Sequence, residues 1–384
     1  MRLHFRDRFA RCVVRVAVTV ALLAVALTSK AQAMPNFAQA YGVQCSVCHT
    51  QVPALNAYGR YIQRTGYAAL NPHVLKKEYP LWIDYSTTYT EQTPNAAQWQ
   101  GGNLGIHADG TLGPGVTNWS YHVQQWLWEG NEPGGLDTAW VAYHNLLGRD
   151  GHLFVGKVQS PGPSEYSQWF DVTGLSVNEP AELTVGEHAY QLDANRWGSK
   201  FVYDRGSFYG QVAYLTSTAD LSGFNDYSND TDKTLEYQAA FANPKKPLEV
   251  GYVGSRGSWP LTEGGVDQYY SNSFYVQRDP VKYIPGVLVT YQMAYDASPG
   301  NGAPPSASNG ASFEIYDNIG QRGMLSVGKQ FTNDGMGNQV QVGNVDASYH
   351  VMRFVFVYVE AAFNQQQKPT WNGLIWLPLP IGPI

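Results

Sequence analysis

The chain has 384 residues, of which 43% are hydrophobic, 14% aromatic and only 15% charged, with a formal net charge of −6. A multi-span helical membrane protein is excluded, because it needs several runs of about 20 apolar residues. A collagen or a disordered tail is excluded too, because neither carries this apolar content. The 26 Tyr, 11 Trp and 39 Gly, with many Asn and Gln, suit a β-barrel that is polar inside and apolar outside.

The one long apolar run is Val16–Leu27, preceded by Arg2, Arg6, Arg8, Arg11 and Arg15 and followed by Ala31-Gln32-Ala33. A basic start, a short apolar centre and a small-x-small site describe a cleaved secretory signal peptide over residues 1–33. An uncleaved anchor is the alternative, but the run is short for a span. Removing the segment leaves 19 basic and 30 acidic residues, a charge of −11. Such a chain has no basic surface to neutralise phosphates, so nucleic acid is excluded as a partner. Its carboxylates suit a cation such as Fe(II).

Cys12 leaves with the signal peptide. Cys45 and Cys48 remain, and His49 follows directly. C-x-x-C-H is the attachment motif of c-type haem. Cys45 and Cys48 are the expected thioether residues, and His49 is the expected proximal ligand of the haem iron. A chance match arises in roughly one shuffled chain in two thousand. The other readings are a plain disulfide, a thioredoxin-type pair and half a zinc site. No βαβ pattern surrounds the motif, and no second Cys pair completes a zinc site.

Residues 53–66 read as one helix, with Pro53 at its start and Gly66 just past its end. Leu55, Tyr58 and Ile62 share a face, turned to the porphyrin or to protein. Arg60 and Arg64 lie one turn apart, on a solvated face or beside the haem propionates. The distal ligand is open, with His73 and Met34 as candidates. His107, His122, His144, His188, Met293 and Met352 are more distant ones. The haem segment, residues 34–78, is marginal as an independent unit, so the rest of the chain is expected to cover it.

Residues 79–384 form a series of short alternating segments: 139–144, 208–216, 235–241, 248–252, 287–295, 340–342 and the longer stretch 347–363. Period-2 alternation with aromatics is the strand signature. Turn-rich links separate the segments, the longest over 298–310, which reads as a mobile outer loop. At ~10 residues per strand plus turns, about 16 antiparallel strands are expected, closed into a transmembrane barrel. A soluble sandwich or propeller is the alternative. The proline-rich end, Trp376 to Ile384, argues against a final strand there, so closure around 349–363 or a separate tail is expected.

The run from Met34 to Tyr67, with its C-S-V-C-H turn, resembles the start of fused monohaem cytochrome–porins, the outer-membrane iron oxidases of iron-oxidising bacteria. That resemblance implies a haem plug in a porin-like barrel. It also implies single-electron passage from extracellular Fe(II) to a periplasmic c-type cytochrome or other acceptor, an Fe(II):cytochrome c oxidoreductase activity. Only Cys45, Cys48 and His49 carry over as site residues. Pro53, Leu55, Asn56, Gly59 and Arg60 form the matching local frame. The acidic residues Asp220, Asp226, Asp230 and Asp232 read as a solvated loop or as collectors of Fe(II). A haem-plugged diffusion porin and a soluble periplasmic cytochrome are the rival readings.

Overall fold

A computed structural model describes residues 35–52, 54–70, 81–91, 98–100, 102–112, 118–130, 132–162, 183–190, 194–217, 232–262, 264–300, 302–352, 354–364 and 370–381. The signal peptide, Met34, Pro53, His73 and the acidic residues 220, 226 and 230 lie outside them.

Two short helices come first, α1 (Pro35–Tyr41) and α2 (Ala57–Arg64). Between them lie a 3-10 turn at Cys45–Val47 and a small hairpin, β1 (His49–Gln51) and β2 (Ala54–Leu55). A wall of strands follows: β3 (Leu81–Glu91), β4 (Gln98–Gln100), β5 (Leu104–Thr111), β6 (Trp119–Trp128), β7 (Leu136–Leu146) and β8 (Gly151–Gln159). A separate hairpin, β9 (Leu183–Val185) and β10 (His188–Tyr190), stands between β8 and the rest. The wall continues with β11 (Asn195–Arg205), β12 (Phe208–Thr216), β13 (Lys233–Ala242), β14 (Leu248–Pro260), β15 (Val266–Arg278) and β16 (Gly286–Asp296). It ends with β17 (Ser306–Ile319), β18 (Gly323–Asn333), β19 (Gln339–Met352), β20 (Val355–Asn364) and β21 (Thr370–Ile381).

The wall is a closed antiparallel barrel. β4 and β5 pair end to end with β3 and count as one strand, which gives 16 strands. Closure gives every strand of the wall a partner on both sides over most of its length, as a chain in lipid requires.

The alternation read in the sequence maps onto two faces. On β13, Glu236, Gln238 and Ala240 are buried, while Leu235 and Phe241 are exposed. On β16, Leu288, Thr290 and Gln292 are buried, while Val289, Tyr291 and Met293 are exposed. Polar groups thus fill the inside, and large apolar groups cover the outside. That arrangement inverts a water-soluble protein and fits a barrel surrounded by lipid.

Three boundaries differ from the sequence reading. The 347–363 stretch is two strands, β19 and β20, joined at 353–354. Ser306–Gly310, read as loop, already belongs to β17. The proline-rich end is the closing strand: β21 pairs with β3 from Trp371↔Glu91 to Ile381↔Leu81. Its pairing with β20 stops at Trp376↔Phe356. Pro378 and Pro380 lie beyond that point and share one parity. Both missing N–H groups therefore fall on the same edge, and past Trp376 one edge of β21 is unpaired.

The two ends of the barrel differ. Where β3 begins and β21 stops, the links are short, such as 206–207, 243–247 and 320–322. The opposite end carries the long links 160–194 and 217–232. In outer-membrane barrels the short turns face the periplasm.

Candidate functional site

The CxxCH motif folds as a tight turn. Val47 N–H donates to Gln44 O at 3.1 Å, and Cys48 N–H donates to Cys45 O at 3.0 Å. The turn leads into β1, which starts at His49.

Asn56 fastens this turn to α2. Its side-chain oxygen accepts from Tyr58 N–H (3.0 Å) and Gly59 N–H (2.9 Å), which caps the helix. Its amide donates to the Val47 (3.1 Å) and Ser46 (3.3 Å) carbonyls. Its backbone N–H donates to Cys48 O at 2.9 Å. The helix therefore begins at Ala57, later than Pro53, because Asn56 supplies the cap. It ends as expected: Gly66 has φ +57° just past Thr65. Gly59 lies against the Cys48 carbonyl, where a Cβ would collide with it.

The two thiols are half-buried and not joined in a disulfide. Burial pushes the Cys45 thiol up to about 12 and the Cys48 thiol up to about 11. Both are neutral at physiological pH, and so poor nucleophiles toward disulfides. Cys45 packs against a buried cluster of Val52, Trp82, Phe356, Tyr358, Leu374 and Trp376. His49 is buried beside the pair. Two cysteines on one turn, an adjoining imidazole and an aromatic wall match the donor set of a c-type haem.

The segment lies in the short-turn mouth of the barrel. Arg60 is fully buried, with Nε at 3.1 Å from Glu249 and Nη1 at 2.7 Å from Asp279. Arg64 pairs with Asp204, and its guanidinium lies 4.5 Å over the Tyr209 ring. Tyr209 and Tyr275 donate to the Glu249 carboxylate at 2.8 and 2.9 Å. Asp279 also accepts from Ala57 N–H (2.9 Å) at the start of α2. On the other side, Tyr67 bonds Asp109 (3.3 Å) and His122 (3.1 Å). Ala54 packs with Tyr316 and Met324. Contacts thus reach β5, β6, β11, β12, β14, β17, β18, β20 and β21 around the ring.

These contacts correct one expectation. Arg60 and Arg64 neither form a solvated face nor stand ready for propionates; they are ion-paired to the wall, because a buried guanidinium requires a carboxylate. The more distant distal-ligand candidates sit on barrel strands or, for His188, on the β10 hairpin. His107 stacks on Trp82 at 3.6 Å, His122 is bonded to Asp109, and His144 bonds Ser120 at 2.6 Å. Met293 and Met352 are exposed. His73 and Met34 lie outside the described residues. Asp232 accepts from Ser258 at 2.8 Å.

A second cluster was not anticipated. At the long-loop end, His188 of β10 meets Asp267 and Asp296, each buried, their ligand atoms within 4.8 Å of one another. His188 Nδ1 is 2.7 Å from Asp296 Oδ1 and 3.9 Å from Asp267 Oδ2. No local motif marks it. The strand register makes it: Tyr269 faces Asp296, and Asp267 lies two residues away on the same face.

No family model matches the chain, and no curated protein matches it in sequence. Solved structures share its fold. The in-vitro folded, trimeric OmpT, an outer-membrane protein of Vibrio cholerae, is 12% identical with a TM-score of 0.54, over 78% of this chain and 98% of its own. The anion-selective porin from Comamonas acidovorans is 10% identical, TM-score 0.52, with the same coverage. Salmonella typhi OmpF, in complex with daunomycin, is 9% identical, TM-score 0.54, over 78% of this chain and 97% of its own. The fold is that of outer-membrane porins.

Proposed function

We propose that the chain is an outer-membrane cytochrome–porin that conducts single electrons through one haem c, from extracellular Fe(II) to a periplasmic c-type cytochrome. The observation that carries this reading is the CxxCH turn, seated inside the short-turn mouth of a polar-lined, lipid-faced barrel. An exported barrel in which β3 starts and β21 stops at that end exposes its mouth to the periplasm, where haem is attached and an acceptor docks. When attached, the haem supplies one-electron redox chemistry at its iron.

The chain's own residues do the holding. Cys45 and Cys48 would anchor the group through thioethers, and His49 would ligate its iron. Asn56 and Gly59 fix the turn against α2. Arg60 and Arg64 fix α2 against the wall. Trp82, Phe356 and Trp376 pack against the Cys45 side of the turn, and low polarity of that kind tunes a haem potential. No proton transfer and no nucleophile are required.

The test is vectorial. The haem-loaded protein is inserted into vesicles with a c-type cytochrome trapped inside, and Fe(II) is added outside under anaerobic conditions. Reduction of the trapped cytochrome is expected. No reduction of the trapped cytochrome, in vesicles whose membrane haem dithionite does reduce, discards the conduit from Fe(II).

A further inference from the structure

The geometry points to a binding site for one divalent first-row transition-metal cation, formed by His188, Asp267 and Asp296 at the long-loop end of the lumen. Both carboxylates are fully buried, and Asp267 Oδ2 and Asp296 Oδ2 have no hydrogen-bond partner among the described residues. Two buried carboxylates side by side repel each other, so a bound cation, a shared proton or a protonated His188 has to offset them. The other carboxylate oxygens are already used: Ser298 N–H donates to Asp267 Oδ1 at 2.7 Å, and Tyr190 donates to Asp296 Oδ1 at 2.8 Å. The Arg196 guanidinium pairs with Glu236 at 2.7 Å.

The imidazole is held in place. Its ring stacks on Trp259 at 4.6 Å and lies 3.9 Å from the Tyr190 ring and 4.1 Å from the Tyr269 ring. The hairpin that carries it is pinned to two neighbouring links: Glu187 N–H donates to Pro299 O at 2.7 Å, and Glu187 accepts from Thr262 N–H at 2.6 Å. One nitrogen and two carboxylates select a first-row divalent ion over the hard all-oxygen cations.

Under the proposed function that ion is a ferrous ion collected at the long-loop mouth before it moves down the lumen to the haem; this clause alone rests on that reading. Asp267 and Asp279 lie at opposite ends of β15, about 40 Å apart along the strand at ~3.3 Å per residue. The site therefore captures the cation at the outer mouth, far from the CxxCH turn.

The test uses the full-length, haem-loaded protein in detergent, stripped with chelator and titrated with Mn(II), with free Mn(II) followed by its paramagnetic signal. One equivalent bound is expected, with Fe(II) competing for it. Asp267→Asn/Asp296→Asn is expected to weaken binding at least tenfold, with heat-dependent gel mobility unchanged. If that variant does not fold, His188→Gln is expected to show the same loss. A wild-type protein that binds no Mn(II), or variants that bind it as wild type does, overturns the site in favour of a shared proton or a protonated His188. Binding without any reduction of the haem by Fe(II) keeps the site and discards the donor. Reduction without binding discards the site alone.

Discussion

Asn56 serves the CxxCH turn three times over: as helix cap, as amide clasp on two carbonyls and as backbone donor to Cys48. Asn56→Ala is expected to cost about 1 kcal/mol through the cap alone. It should lower the haem-stained fraction at equal barrel yield, read on a denaturing gel. Gly59→Ala drives a methyl into the Cys48 carbonyl. It should reduce haem incorporation more strongly than Asn56→Ala, and an unchanged yield would contradict the packing described. Arg60→Leu strands Glu249 and Asp279 as buried charges, a cost of about 3–5 kcal/mol. The segment should then become sensitive to protease, and adding Glu249→Gln and Asp279→Asn should restore part of its protection. Cys45, Cys48 and His49 were legible because their chemistry is written in adjacent residues. Glu249, Asp279 and Asp204 were not, because they come to the arginines from strands 140 or more positions away.

At the scale of elements, period 2 was legible wherever one face meets lipid and the other a polar lumen. β12, β13 and β16 lie where the alternation put them. The reading failed where local chemistry and pairing disagree. β21 looked unfit for a strand because its prolines lack donors. The ladder with β3 extends past the end of β20, and there a missing N–H on the free edge costs no bond. Two outcomes follow from this placement. Removing residues 370–384 should abolish the heat-modifiable barrel, since it opens the ring between β20 and β3. Pro378→Val with Pro380→Val should leave the thermal midpoint within a few degrees, because no ladder bond depends on either proline. The strand–hairpin–strand site at His188 was illegible for the same reason as β21: register, rather than sequence spacing, brings its members together.

The whole molecule joins two designs that the sequence announces separately, a CxxCH turn and a barrel. Their joining was inferred because a segment of about 45 residues is a poor shield on its own. The structure places that segment in the mouth, tied by buried ion pairs on one side and the Tyr67–Asp109–His122 contacts on the other. A barrel so filled should conduct ions poorly. Planar-bilayer conductance is expected to fall well below that of the same barrel with residues 34–70 removed, and equal conductance would show that the segment leaves the mouth open.

The most direct measurement is optical. The haem-loaded protein is purified from outer membranes, oxidised, and mixed with Fe(II) without oxygen while the haem band is followed. A c-type spectrum that turns reduced on Fe(II) addition, and that is absent from Cys45→Ser/Cys48→Ser, is the expected result. A properly matured protein with no haem spectrum would contradict the account at its centre, leaving a barrel whose CxxCH turn serves some other chemistry.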